Sequence, residues 1–184
     1  MKTFQSVVAL IAFMGLVFLG CSEKSQLPNE PVSSLEKVTT TDYTATITII
    51  DIVDPGTVKI VGQNMIIKDL VALTRYEASS DLVTADLLIT INSKFNLYTG
   101  EGPTHGKWSS VPDAYPDAMW EGSFTGHRTR TGESSWTENA SIVGQGIGGV
   151  IDGMKNFTDA IIYTDDIYEQ TGFYGTASGV LKSK

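Results

Sequence analysis

Between Trp120 and His127 the chain alternates without a break. Trp120, Gly122, Phe124 and Gly126 fall on one side, and Glu121, Ser123, Thr125 and His127 on the other. A period of two is that of a β-strand with one buried face. Glycine inside a strand marks a bend, a bulge or the close approach of another element. A sheet that curls far enough to close on itself needs such kinks.

The same alternation recurs along the chain. Tyr43-Thr44-Ala45-Thr46-Ile47-Thr48-Ile49 interleaves apolar residues with threonine, and Asp54-Pro55-Gly56 then marks a turn. Val83, Ala85, Leu87, Ile89 and Ile91 share a face opposite Thr84, Asp86, Thr90 and Asn92, while Trp136, Ala140 and Ile142 share another. Ala160–Tyr163 and Phe173–Leu181 read as two further strands, and 57–61, 64–69, 94–99 and 104–110 as weaker ones. Lys68 to Ala78 is the one serious helix candidate, since Leu70, Leu73 and Tyr76 have roughly helical spacing. Fourteen of the 18 glycines lie at or after Gly100, so the curvature is expected mainly there. The pattern implies an all-β fold over residues 42–184: a small closed antiparallel β-barrel of about eight strands, with a β-sandwich as the alternative.

The N-terminus has a different character. Lys2 precedes an apolar run from Val7 to Leu19, which is too short for a ~30 Å hydrocarbon core but suits the apolar region of a signal peptide. The chain's single cysteine, Cys21, follows at once. Phe18-Leu19-Gly20-Cys21 resembles the lipobox of bacterial lipoproteins, with Phe18 where the family usually carries leucine. The resemblance implies a signal peptide at residues 1–20, cleavage before Cys21 and lipidation of its thiol with fatty acyl chains such as palmitate. It also implies a membrane partner through the anchor and a cell-envelope location, with Ser22 favouring the outer membrane. Residues 21–41 are rich in proline, serine, threonine and charge and have no apolar period, as in a flexible tether.

The layout of the folded part also resembles a known one. Trp120-Glu121-Gly122-Ser123-Phe124-Thr125-Gly126, then Gly144-Gln145-Gly146-Ile147-Gly148-Gly149, then Gly175-Thr176-Ala177-Ser178-Gly179 recur as in an uncharacterised bacterial β-domain. That domain is similar to the barrel shared by allene oxide cyclases and dirigent proteins. The resemblance implies an antiparallel barrel of about eight strands and transfers no catalytic residue.

Several function classes are excluded. A net charge of −8 and a pI near 4.6 leave no basic stripe for nucleic acid. One cysteine rules out an internal disulfide and leaves no cysteine-based zinc site. Gly144-x-Gly146-x-x-Gly149 matches the dinucleotide fingerprint in letters, but Asp152-Gly153 follows where a helix would be required. His105, expected in a loop, and His127, expected on a polar strand face, show no metal or triad spacing. No metal and no cofactor is called for.

Arg128 and Glu138 are the polar residues of interest. Arg128 continues the Trp120–Gly126 face, and Glu138 lies between Trp136 and Ala140 on the next. A three-residue turn at Gly132-Glu133-Ser134 would make them direct cross-strand partners. Aimed into an apolar interior, such charges are costly unless satisfied and would orient a polar head group. Arg128, Glu138, Trp120, Phe124 and Trp136 are therefore the candidate ligand-binding residues. The leading expectation is a lipoprotein that binds a small hydrophobic or amphipathic ligand or presents a recognition surface. An isomerase- or cyclase-like enzyme and a structural or adhesive component are the alternatives.

Overall fold

A computed structural model describes residues 38–166 and 171–183 of the chain. The signal peptide, Cys21 and residues 22–37 of the tether lie outside the described residues. The strands are β1 (Thr39–Asp54), β2 (Thr57–Val61), β3 (Asn64–Ala78), β4 (Ala85–Asn96), β5 (Gly102–Ser110), β6 (Met119–Arg130), β7 (Trp136–Ile147), β8 (Lys155–Asp166) and β9 (Thr171–Ser183). A single 3-10 turn at Gly149–Ile151 is the only helical element among the described residues.

The architecture is a closed antiparallel barrel of eight strands with one strand added. Neighbours run β1-β9-β8-β7-β6-β5-β4-β3, and β3 pairs again with β1 to complete the ring. Closure leaves these eight strands without long free edges. β2 stays outside the ring as a hairpin with β3 and is exposed along its whole length. The all-β barrel expected from the alternation is thus the observed fold, and the sandwich is not.

The helix considered over Lys68–Ala78 is instead part of β3, hydrogen-bonded to β1 on one side and β4 on the other. Leu70, Ala72, Thr74 and Tyr76 alternate inward, with Ala72 and Thr74 almost wholly buried. Leu73 lies on the opposite face, so its helical spacing with Leu70 and Tyr76 comes from a strand that is apolar on both sides. The pairing slips between Ile67 and Leu70, where Asp69 takes a φ of 57° and its N–H is held by Asn92 Oδ1 at 3.2 Å. A non-glycine residue in that region is uncommon and accompanies a bulge here.

Three smaller expectations also shift. Thr39–Thr41, placed in the tether, are the first rungs of β1 and pair with Leu181–Ser183. Residues 97–99 are a turn rather than strand, because Asn96 Oδ1 accepts from the N–H groups of Tyr98 and Thr99. His105 is on β5, not in a loop, with its side chain exposed.

One end of the barrel is filled. Trp120, Ile151 and Leu181 are fully buried there, and Trp120 Nε1 donates to Leu82 O at 2.7 Å. Tyr43, Asn156, Thr158 and Tyr76 form a buried hydroxyl–amide network just above, with Tyr43 Oη donating to Asn156 Oδ1 at 2.8 Å. Burial raises the Tyr76 phenol far above its ordinary value, so it stays neutral. The start of β1 and the end of β9 pair at this closed end.

Candidate functional site

Above that plug the barrel encloses a cavity of about 200 Å³. Its floor is Trp108, whose Nε1 donates to Val143 O at 3.3 Å. The indole lies over Gly122 and Gly144, which face each other across β6 and β7. A Cβ at Gly144 would come within 2.6 Å of its ring, so the glycine pair is the slot that admits the tryptophan. Beneath the floor, a void of only about 20 Å³ separates Trp108 from Trp120.

The walls are aliphatic, with Ile47, Ile49, Ile89, Ile91, Ile142 and Ile162 among them. The cavity reaches Ile52, Ile67 and Leu70 at the end remote from the plug, and these are only half-buried. Polar groups gather toward this end. Thr131 N donates to Ser135 O at 3.0 Å, leaving Gly132, Glu133 and Ser134 as the three-residue turn. That turn sets the β6–β7 register in which Arg128 faces Glu138. Arg130 braces it by donating to Gly132 O and Glu133 O, and links it to the neighbouring turn through Tyr98 O at 3.2 Å.

Arg128 lies with its guanidinium carbon 4.9 Å from the centre of the Phe95 ring and 6.0 Å from that of Trp136. Its Nη1 is buried without a hydrogen-bond partner. Desolvation presses its pKa down and Glu138 opposes this; a guanidinium nonetheless keeps its proton in proteins. Glu138 Oε2 accepts from Thr104 Oγ1 at 3.3 Å, and Thr104 Oγ1 lies 3.3 Å from Ser93 Oγ. Burial raises the Glu138 carboxyl above the usual glutamate range, opposed by Arg128, Thr104 and, from the outer face, His127. The ion pairs among the described residues all belong to Arg75 on the outside, so Arg128 and Glu138 share the cavity without closing onto each other.

Four of the five candidate residues therefore line one cavity: Phe124, Arg128, Trp136 and Glu138. Trp120 does not join them. It shares their inward face but belongs to the closed end, below Trp108. Sequence reasoning missed Thr104, Trp108 and Thr74 as cavity residues. The signal for Trp108 lay in Gly122 and Gly144, but only the β6–β7 register reveals them as a pair.

The glycine fingerprint at Gly144, Gly146 and Gly149 runs from β7 into the 3-10 turn. A Cβ at Gly146 would strike Ile151 O, which places this glycine in packing at the closed end. No helix long and apolar enough to cross a membrane occurs among the described residues. The chain matches no protein-family model, no curated protein and no solved structure.

Proposed function

We propose that this chain is a cell-envelope lipoprotein, anchored through Cys21 and residing at the outer membrane, whose barrel holds a small amphipathic molecule. The observation that carries the ligand reading is the enclosed cavity of about 200 Å³, aliphatic along its walls and ending on Arg128 with an unpartnered Nη1. Concave, largely apolar sites with a few placed polar groups are the general form of small-molecule sites. The anchor reading is carried by Phe18-Leu19-Gly20-Cys21 after its apolar run. More than one acyl chain makes such attachment stable.

The test is native mass spectrometry of the full chain isolated from its membranes, followed by denaturing extraction. A stoichiometric small-molecule adduct that leaves on denaturation is expected. A bare protein mass that no added amphiphile shifts would sink the reading and leave only the barrel's outer surface for function. Cys21→Ser is expected to lose the acyl mass and release the protein from the membrane.

A second reading is an isomerase- or cyclase-like enzyme. It draws on one observation: a buried carboxyl with raised proton affinity faces a cation inside an apolar cavity. Extraction separates the two. A carrier returns the molecule it was given, whereas an isomerase returns a mixture of that molecule and an isomer of equal mass.

A further inference from the structure

The unmet hydrogen bonds of the barrel gather around one space. Among the described residues, the buried side-chain polar atoms lacking a partner are Arg128 Nη1, Thr74 Oγ1 and Trp136 Nε1, and all three side chains line the cavity. Each can donate a proton. Trp136 Nε1 lies against the Gly100 backbone at the rim, which leaves Arg128 and Thr74 for an occupant. A buried donor without an acceptor is costly, and a charged one more so.

Charge narrows the choice of acceptor. The titratable side chains lining the cavity are Tyr76, Arg128 and Glu138. Tyr76 sits in the neutral network near the plug, and Glu138 is held by Thr104 rather than by Arg128. One positive charge is thus left without a contact counter-ion among aliphatic walls. A neutral alcohol would accept a hydrogen bond but leave that charge uncompensated. A phosphate dianion would overshoot it and would have to be stripped of more water. A carboxylate brings one negative charge and planar oxygens that suit a guanidinium. The volume is below the ~300–1,000 Å³ of sites for drug-sized ligands, so the body must be short.

Resting on the amphiphile-binding reading above, we infer that the occupant is a short monocarboxylate, its head accepting from Arg128 Nη1 and its tail lying on Trp108. Ile47, Ile89 and Ile142 surround the tail. Glu138 stays on the Thr104 hydroxyl, out of ion-pair contact with the guanidinium.

Full-length protein titrated with hexanoate, hexanol and hexyl phosphate, read by tryptophan fluorescence, tests this. Hexanoate is expected to bind at least about tenfold more tightly than either of the others. Arg128→Met should remove that preference while hexanol still binds. Equal binding of hexanol, or tighter binding of hexyl phosphate, would overturn the carboxylate assignment and leave the amphiphile-binding barrel standing. If none of the three binds, both fail. Should Arg128→Met not fold, Glu138→Gln decides: hexanoate affinity is expected to stay within about threefold of the parent. A gain of about tenfold or more would show that an ionised Glu138 already serves as the counter-ion, and would overturn the inference.

Discussion

Glu138 faces Arg128 directly across β6 and β7, yet the hydrogen bond it accepts comes from Thr104 on β5. Two residues that are neighbours in register are therefore not partners in charge. Desolvation outweighs the attraction of the guanidinium in setting Glu138's proton affinity.

That balance has a pH signature. The folded chain holds the Glu138 proton more readily than the unfolded chain, where the carboxyl has its ordinary value of 4.5. Its contribution to stability is fully present below the unfolded value and is lost as the pH rises through the folded one. Relative to Glu138→Gln, the parent protein should lose stability as the pH climbs through that window. Urea midpoints of both proteins across the range provide the check, and parallel curves would refute the assignment.

Thr104→Val removes the hydroxyl that steadies the charged form of Glu138. The carboxyl should then titrate higher still, as read by the infrared C=O band or by carbon NMR of labelled glutamate. The stability cost should be about 1 kcal/mol, the scale of one lost hydrogen bond. An unmoved Glu138 titration would show that this contact has no hold on the proton.

Two inward glycines of β6 should respond unequally to alanine. At Gly122 a Cβ would strike Val143 O and come within 2.7 Å of Trp108 Nε1, and that oxygen is fixed in the strand ladder. At Gly126 the close neighbours are Glu138 Oε1 at 2.8 Å, the end of a movable side chain, and Asn139 O at 3.1 Å. Gly122→Ala should cost about 3 kcal/mol or more and Gly126→Ala about 1–2 kcal/mol in denaturant unfolding. The reverse order would contradict the packing described.

Trp120→Phe should lower stability by about 1–3 kcal/mol, because Leu82 O loses its donor at the plug. Ligand affinity should be unchanged, since Trp120 lies below the cavity floor. Trp108→Ala, by contrast, should alter both. A large affinity loss in Trp120→Phe with stability intact would move the site to the closed end.

Much of this barrel was legible because strand alternation is local. The Arg128–Glu138 register could be read as well, since a three-residue turn fixes every rung of the hairpin behind it. Depth along the barrel was not legible: Trp120 and Phe124 share a face, and nothing local says that Trp108, from another strand, will come between Trp120 and the cavity. Thr104 and Thr74 escaped notice because they meet Glu138 and the cavity only after the ring closes. Lys68–Ala78 misled because β3 is apolar on both faces, with Leu73 on the outside and Leu70 and Tyr76 within.

The pairing of Thr39 with Ser183 puts the chain's entry into the barrel and its exit from it at the plugged end, while Ile52, Ile67 and Leu70 border the cavity at the other. The two ends of the described chain and the cavity are thereby divided between opposite poles of the barrel. On the reading proposed above, a tether leading into Thr39 would pull on the sealed pole, and a guest molecule would come and go at the opposite one.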